Sequence, residues 1–449
     1  MKLSDEEAAM DSGTKKSHHV VILGGGFGGL YAAKRLSKLG VRVTLVDKRN
    51  FHLFQPLLYQ VAAGWLSPGE IASPLRMVLN RYKNTYVYQA EVTDILPDEK
   101  TVVLKDGKLT YDTLIVATGS NHHYFGHDEW EKDAPGLKTV EDALEMRRKI
   151  LLSFEAAERE PDPNIQREWM TFLIVGAGPT GVELAGTIGE LARTTLKNDF
   201  RNIDTRQTCI VLVEGQDHVL QAYPEELSKK AEESLRSLGV TIRLNTLVTK
   251  IDGNTVHILR NGVPETIQSR TILWTAGVKA SFLGKVLQER AGAELDGGGR
   301  VMVAPDLSIP GRPDIFVIGD LANFSHQGGA PLPGVAPVAM QEGSYVAGLI
   351  ADRIAGKETK DFRYFDKGNL AVIGRNSAVA DIGKLKISGF PAWLIWAFVH
   401  ISYLIEFDNK VLVLFQWAWN YFTRKRGVRL ITGDTPPELV GRGENQPRA

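Results

Sequence analysis

One chemical plan is written twice along this chain. A short apolar strand, His19 to Leu23, runs directly into Gly24-Gly25-Gly26-Phe27-Gly28-Gly29. A helical run to Leu39 follows, with Gly40 as its C-cap, and then a strand from Val41 to Val46 that ends at Asp47. The second copy begins with the strand Thr171 to Val175 and the turn Gly176-Ala177-Gly178-Pro179-Thr180-Gly181. A helix is expected over Val182 to Leu196, and the strand Cys209 to Val213 ends at Glu214. A further strand in the first copy, Thr113 to Ala117, closes on Thr118-Gly119, and Trp274-Thr275-Ala276-Gly277 repeats that ending in the second. Residues 84 to 111 form a polar, hairpin-rich stretch between the first copy's strands.

A lone glycine turn of this spacing is weak evidence, because glycine punctuates many turns. Here each turn leaves a strand and opens a helix. Backbone N–H groups and the positive end of the helix dipole then converge where a pyrophosphate can sit. Gly24 and Gly176 take the tight turn, Gly26 and Gly178 let a phosphate approach, and Gly29 and Gly181 allow the helix to pack closely. Asp47 and Glu214 stand where a carboxylate accepts hydrogen bonds from ribose hydroxyls. Two dinucleotide sites are expected. A carboxylate at Glu214 repels a 2′-phosphate, which favours NADH over NADPH. Arg206 precedes the strand and carries little weight.

The two sites are told apart by Gly319-Asp320, at the end of an apolar strand within residues 312–322. An acid there suits the hydroxyls of a ribityl chain, which only a flavin carries. The first turn is therefore expected to hold FAD and the second NADH. The plainer alternative for Asp320 is a buried capping residue ahead of Leu321.

Composition narrows the function classes. Acidic and basic residues balance at 53 each, so there is no global field for nucleic acid. A length of 449 residues suggests two or three domains. The single cysteine, Cys209, rules out an internal disulfide framework and argues against a cysteine-built metal site. It also removes enzymes that relay electrons through a cysteine pair. Followed by Ile210 to Val213, Cys209 is expected to be a buried structural thiol. The ten histidines include the adjacent pairs His18-His19 and His122-His123 but no set at ligand spacing, so no metal site is expected. The N-terminal residues are charged and lack an apolar core. They are expected to be a disordered tail, not a secretory signal, with the catalytic body on the cytoplasmic side.

The C-terminal region differs in kind. Residues 387–405 contain no Asp, Glu, Lys or Arg, and Val411 to Phe422 are likewise uncharged. Trp393, Trp396, Trp417 and Trp419 gather here, and the basic residues Arg424, Lys425, Arg426 and Arg429 follow. The first stretch approaches the ~20 residues needed to cross hydrocarbon. Gly389, Pro391, His400 and two serines shorten its apolar part, and bunched tryptophans with trailing arginines fit a monotopic anchor on anionic lipid better than a span. His400 is expected to make a polar contact at an interface and not to bind a metal.

From about His19 to Gly433 the sequence resembles the type II NADH:quinone oxidoreductases, single-subunit NADH dehydrogenases that do not pump protons. The resemblance rests on Gly24 to Gly29, Asn50-Phe51-His52-Leu53-Phe54-Gln55-Pro56-Leu57-Leu58-Tyr59-Gln60, Ala117-Thr118-Gly119 and Gly176 to Gly186. It rests further on Ile318-Gly319-Asp320, Pro337-Val338-Ala339-Met340-Gln341 and, most discriminating, Ser388-Gly389-Phe390-Pro391-Ala392-Trp393-Leu394. The resemblance implies an α/β fold of two Rossmann-type dinucleotide-binding domains, for FAD and NAD(H), with a C-terminal amphipathic membrane-anchoring region. It implies noncovalent FAD, NADH and a membrane quinone as substrates, attachment to a lipid bilayer surface, and a homodimer.

Carried over residue by residue, FAD contacts fall on Gly24, Gly26, Gly29, Asp47, Gly119 and Asp320, and Ala339 to Gln341 lie by the flavin ring and quinone pocket. Gly176, Gly178, Gly181, Glu214 and Gly277 serve NADH. Glu183 matches an acid at the junction of nicotinamide and flavin, and Lys384 a lysine near the quinone entrance. Glu183, Gln341 and Lys384 are thus the expected catalytic residues. Many relatives carry a glutamine where Pro337 stands, and proline cannot donate a side-chain hydrogen bond to a quinone oxygen. The expected division is a tail over 1–18, a discontinuous FAD domain over 19–125 and 290–350, an NAD(H) domain over 126–289, and a quinone-site and anchor region over 351–449.

The expected reaction is hydride transfer from NADH to flavin, then reduction of quinone, with no intramembrane carboxylate chain to support pumping. Two alternatives are a flavin-dependent NAD(P)H reductase with a protein acceptor and an NADH-binding redox-signalling flavoprotein. The apolar tail speaks against a soluble acceptor. A sulfide-oxidising quinone reductase would need catalytic cysteines that Cys209 alone cannot supply.

Overall fold

The computed structural model describes residues 17–405, 407–423 and 428–433. Most of the expected N-terminal tail, and the basic residues Arg424, Lys425 and Arg426, lie outside the described residues. In chain order, strand β1 (His19–Leu23) leads to helix α1 (Phe27–Leu36), β2 (Arg42–Asp47) and α2 (Leu58–Ala62). Then come β3 (Thr85–Gln89), β4 (Thr113–Val116), β5 (Thr171–Val175) and α3 (Pro179–Glu190). Strands β6 (Cys209–Val213), β7 (Val240–Arg243), β8 (Thr271–Trp274) and β9 (Arg312–Val317) precede α4 (Ala336–Ile354). The chain closes with β10 (Asn369–Gly374), β11 (Ser377–Ile382), β12 (Leu385–Gly389), α5 (Phe390–Tyr403) and α6 (Phe407–Thr423).

These elements form two compact units. Unit one comprises Met1–Leu53, Ala72–Asn121 and Val278–Lys367; unit two comprises Phe54–Ile71, His122–Gly277 and Gly368–Ala449.

Unit one is built on a sheet ordered Ser308–Ile309, β9, β4, β1, β2, β3, parallel throughout except for its first edge strand. β1 and β4 are buried along their whole length. Unbroken apolar runs such as Val20-Val21-Ile22-Leu23 are what a strand covered on both faces requires. α1 packs on α4 almost backbone to backbone: a methyl group at Gly343 would land on the carbonyl of Gly28. α1 ends at Leu36, short of the expected Leu39, where the chain tightens into i→i−3 turns, Lys38 N–H to Arg35 O at 3.2 Å and Leu39 N–H to Leu36 O at 2.8 Å, ahead of Gly40 at φ 75°. The polar stretch after β3 folds as an antiparallel meander, Val92–Leu96, Thr101–Leu104 and Gly107–Thr110.

Unit two repeats the parallel plan in the order β7, β6, β5, β8, with Phe172 beside Ile210 on one side and Thr271 on the other. Tyr124, Trp130, Trp274, Val211 and Ile258 belong to one apolar core under this sheet. After Glu190, α3 continues as a π-helical turn, Leu191–Thr195. The antiparallel sheet β10–β11–β12 packs β10 against α3 at Gly186, where any side chain would collide with the Ile373 carbonyl. Cys209 is exposed, contrary to the buried thiol expected. It is the first residue of β6, where the strand emerges, and only the four aliphatics behind it are buried.

Candidate functional site

The first glycine turn is held at both ends of one residue. The Gly25 N–H donates to Asp47 Oδ2 at 2.6 Å, and His52 Nδ1 donates to the Gly25 carbonyl at 2.9 Å. The Arg49 N–H takes the other Asp47 oxygen at 2.7 Å. Gly24 sits at φ 102° and bonds Val46 O through its N–H, a conformation that costs a side-chain residue dearly. A methyl at Gly29 would strike the Gly24 carbonyl, whereas a methyl at Gly26 would meet nothing within 4 Å. The turn is therefore rigid and close-packed except at Gly26. Burial raises the Asp47 pKa, with the Gly25 and Arg49 N–H groups pulling the other way. Burial also pushes His52 down to about 4, so its ring is neutral and fit to bind the carbonyl through one fixed nitrogen.

The second turn reproduces the first. The Ala177 N–H donates to Glu214 Oε2 at 2.7 Å, Gly176 N bonds Val213 O at 2.8 Å, and Gly176 has φ 98°. A methyl at Gly181 would strike Gly176 O, and Gly178 is open. Glu214 Oε1 accepts from Gln216 N–H and from the Gln221 side chain, each at 3.1 Å. Arg206 is turned to Asp204, 2.8 Å away. Gly119 and Gly277, the paired strand endings, have φ values of 68° and 70°.

Asp320 lies just beyond β9 in unit one, and the Ser120 hydroxyl donates to its Oδ2 at 2.6 Å. Gly334 approaches the other carboxylate oxygen, and Ala339 lies against Gly319. Thr118 Oγ1 is buried without a hydrogen-bond partner among the described residues. A rigid turn open at Gly26, an acid at Asp47, a second acid at Asp320 and an unused hydroxyl at Thr118 fit a dinucleotide with a polyhydroxylated chain.

Gln341, on α4, has both ends of its amide engaged: Nε2 donates to Phe365 O and Oε1 accepts from Phe365 N–H, each at 2.9 Å. Pro337 falls in the first turn of α4, where its missing N–H removes no helical bond. Lys384 stands exposed at the tip of the β11–β12 hairpin, beside Gly383 with φ 59°.

Glu183 is in the second turn of α3. It is buried, and burial holds its carboxyl well above the ordinary carboxylate range. The Val372 N–H reaches it at 3.5 Å. Tyr59, on α2, is buried in the same unit; burial first and then the Glu183 charge raise its hydroxyl pKa.

Three further groups were not legible as site residues. Glu342 on α4 is buried and accepts from Gly319 N–H at 2.5 Å; burial pushes it up to about 8, and Asp320 adds to the shift. His52 and the Tyr59-Gln60 pair lay inside a resemblance motif with nothing local to mark their roles.

The C-terminal helices carry the apolar surface. Trp396 and Trp417 stack at 5.0 Å, while Phe398, Phe415, Trp419 and Phe422 face outward. His400 Nδ1 donates to Trp396 O at 2.8 Å, and burial pushes this histidine down to about 4. α5 has 14 residues, about 21 Å at ~1.5 Å per residue, against ~30 Å of hydrocarbon. Among the described residues no helix is long and apolar enough to cross a membrane.

The pyridine nucleotide-disulphide oxidoreductase family model matches residues 18–343, and the NDH2 C-terminal domain model matches residues 367–426. The type II NADH:quinone oxidoreductase Ndh of Mycobacterium tuberculosis is 45% identical over 425 residues, covering 93% of this chain and 91% of that protein. The chain belongs to the type II NADH:quinone oxidoreductases. A Staphylococcus aureus type II NADH:quinone oxidoreductase is 31% identical over 83% of this chain and 92% of its own length. Among solved structures, NDH2 from Plasmodium falciparum in complex with NADH superposes with TM-score 0.85 at 21% identity, covering 93% of this chain and all of that one. The sulfide:quinone oxidoreductase of Aquifex aeolicus shares the fold at TM-score 0.71 and 18% identity, over 91% of this chain and 96% of its own. The α/β fold expected for this type II enzyme, with its separate C-terminal region, is the fold observed.

Proposed function

We propose that this chain catalyses electron transfer from NADH to a quinone, with FAD held noncovalently by unit one and NADH bound by unit two. The observation that carries the reading is the 45% identity to a type II NADH:quinone oxidoreductase across 93% of the chain, glycine turns and tail region included. Gly24, Gly26, Gly29, Asp47, Gly119 and Asp320 would hold the flavin, with Ala339 and Gln341 on the α4 side. Gly176, Gly178, Gly181, Glu214 and Gly277 would hold NADH, and Glu214 would accept from the adenosine ribose. When bound, FAD supplies a two-electron acceptor for hydride and a donor to quinone.

The protein's own part is to orient and to move protons. Asp47 and His52 keep the Gly25 peptide aimed so that the turn's N–H groups meet phosphate oxygens. Glu183, whose burial favours the protonated form, is a group from which a quinone oxygen could take a proton. Lys384, exposed on its hairpin, offers positive charge to an arriving quinone headgroup.

Attachment is peripheral: the outward apolar side chains of α5 and α6 enter the lipid interface, and the catalytic body stays on the cytoplasmic side. A homodimer is the proposed assembly. A protein acceptor is not favoured, because the tail gives the chain an outward apolar surface that such an acceptor does not need.

Anaerobic stopped-flow mixing tests the reading. NADH should bleach the yellow holoprotein within the turnover time, NADPH should do so far more slowly, and added quinone should restore the colour. A holoprotein whose colour survives NADH, or does not return with any quinone, would overturn it.

A further inference from the structure

Three residues of α3 fall on one face of the helix: Glu183, Gly186 and Glu190, spaced three and four apart. That face meets β10, the edge strand of the sheet β10–β11–β12, along the side that has no partner strand. An edge strand turned toward protein instead of water leaves N–H groups that need acceptors. α3 supplies them. The Val372 N–H donates to Glu183 Oε1 at 3.5 Å, and the Arg375 N–H donates to Glu190 Oε1. Between them the Ile373 carbonyl lies over Gly186, where the missing side chain lets the strand come close.

The match of two acids to two N–H groups depends on a bulge. In an antiparallel strand alternate N–H groups point away from the partner, so the one after Val372 would be that of Gly374. Val372 pairs with Ala378 and Gly374 with Ser377, and the register shifts between them. The extra residue moves the next outward N–H on to Arg375. The seven residues of helix from Glu183 to Glu190 rise about 10.5 Å, and three residues of strand cover about 10 Å, where two would cover only ~6.6 Å. The bulge brings strand and helix into step.

At 3.5 Å the bond to Glu183 is at the long end of the range, so a small recession of β10 abolishes it. Glu190 sits where it can prevent that, against the bulged end: a methyl at Gly374 would come within 2.9 Å of its Oε1. We propose that Glu190 is a positioning residue for Glu183: by holding the bulged end of β10 through Arg375, it keeps the Val372 N–H on the Glu183 carboxyl. An N–H bonded to a carboxylate favours the ionised form, and the Val372 N–H is the group that opposes the effect of burial on Glu183. Glu190 thereby helps set the pH at which Glu183 gives up its proton. The bearing on catalysis rests on the reading of Glu183 proposed above.

Other titratable groups stand on the elements packed against α3. α2 contributes the buried Tyr59. Tyr223, before the helix Glu225–Ser237, has its hydroxyl pKa raised by burial, then by Glu183 and by Asp381 of β11. That helix carries the exposed Glu226 and the pairs Lys229–Glu225, Lys230–Glu233 and Arg236–Glu232. β5 and β10 carry no titratable side chain, and Arg375 follows β10 half-buried. Arg193 of the π turn lies against Gly239, Arg243 of β7 pairs with Glu265, and Cys209 of β6 is exposed.

The test is an infrared titration of the FAD-loaded full chain, following the carbonyl stretch of the buried protonated carboxyl identified by its loss in Glu183→Gln. Glu190→Ala removes the acceptor for Arg375, whereas Glu190→Gln removes the same charge and keeps an acceptor. In Glu190→Ala the stretch should move to higher wavenumber, as a carbonyl losing a donor does. The band should also persist to a pH about one unit higher than in Glu190→Gln. Glu190→Gln should keep the parent wavenumber. Loss of charge alone would ease ionisation of Glu183, the opposite sign, so the pair of variants separates position from field. Gly374→Ala meets only the ends of two flexible side chains, Glu190 Oε1 and Leu238 Cδ1, each at 2.9 Å. It pushes the Glu190 carboxylate aside, should move the band as Glu190→Ala does, and covers the case where Glu190→Ala fails to fold. Equal wavenumber and titration in Glu190→Ala and Glu190→Gln would overturn the proposal, as would an unmoved band in Gly374→Ala. Should Glu183→Gln retain full quinone turnover while the band moves as stated, the catalytic role of Glu183 fails and the positioning by Glu190 stands.

Discussion

The Glu342 carboxylate accepts the Gly319 N–H at 2.5 Å, so a buried acid of α4 holds the residue immediately before Asp320. Burial raises Glu342 from its ordinary 4.5 to about 8. Across that window the folded chain keeps a proton that the unfolded chain has released, so stability is full below the lower value and falls as pH rises through the upper one. The slope is about 1.4 kcal/mol per pH unit. Glu342→Gln, which can still accept from Gly319, should match the parent at pH 5 and melt several degrees higher at pH 9. Melting curves of the holoprotein at the two pH values check this; equal melting temperatures at pH 9 would refute it.

Close helix approach makes two glycines irreplaceable. Gly343→Ala drives a methyl into the Gly28 carbonyl, and Gly186→Ala drives one into Ile373 O. Each should cost about 1–3 kcal/mol of stability, as overpacking does. They should differ in what else they lose. Gly343→Ala displaces the start of α1 and should lower the ratio of flavin to protein absorbance, while Gly186→Ala should leave that ratio unchanged.

The repeated strands were legible because a strand covered on both faces needs an unbroken apolar run, and His19–Leu23, Thr171–Val175 and Cys209–Val213 fold within the bounds that their residues suggest. The end of α1 was misread because Lys38 and Leu39 are sound helix formers; only their i→i−3 bonds, to Arg35 O and Leu36 O, show that the chain has left the α-helix for a tighter turn. Cys209 was misplaced because a run of aliphatics says which residues are buried together, not which end of the strand emerges. Glu342 gave no signal at all, since its burial arises from the packing of α4 on α1. Trp417 donates its indole N–H to Gln60 from 357 positions away, and no local pattern could join them.

Nucleotide preference is the third expectation. Glu214 Oε1 and Oε2 hold the second turn through Ala177, Gln216 and Gln221. Glu214→Ala should raise the KM for NADH about tenfold, equivalent to ~1.4 kcal/mol, and narrow the gap to NADPH by removing the repelling charge. Steady-state KM values for both nucleotides decide it, and an unchanged ratio between them would reject the assignment.

The tail supplies the fourth. Phe398 is 74% exposed and Phe415 67% exposed. Replacing both by glutamate should release the protein from vesicles containing anionic lipid while reduction of a soluble dye by NADH stays near the parent rate. Cosedimentation and dye assays measure the two effects separately, and undiminished cosedimentation would count against attachment through this face.

β12 ends at Gly389 and α5 begins at Phe390, with no linker between them. The φ of 75° at Gly389 makes the corner in a single residue. Were α5 seated in lipid as proposed, it would be a mooring and not a tether: a loose leash would let unit two tumble above a bilayer, whereas a helix growing straight out of a paired strand would pass torque into the β11–β12 ladder. Once seated, unit two would keep one heading relative to the membrane plane, and mobility would come from sliding, not swivelling.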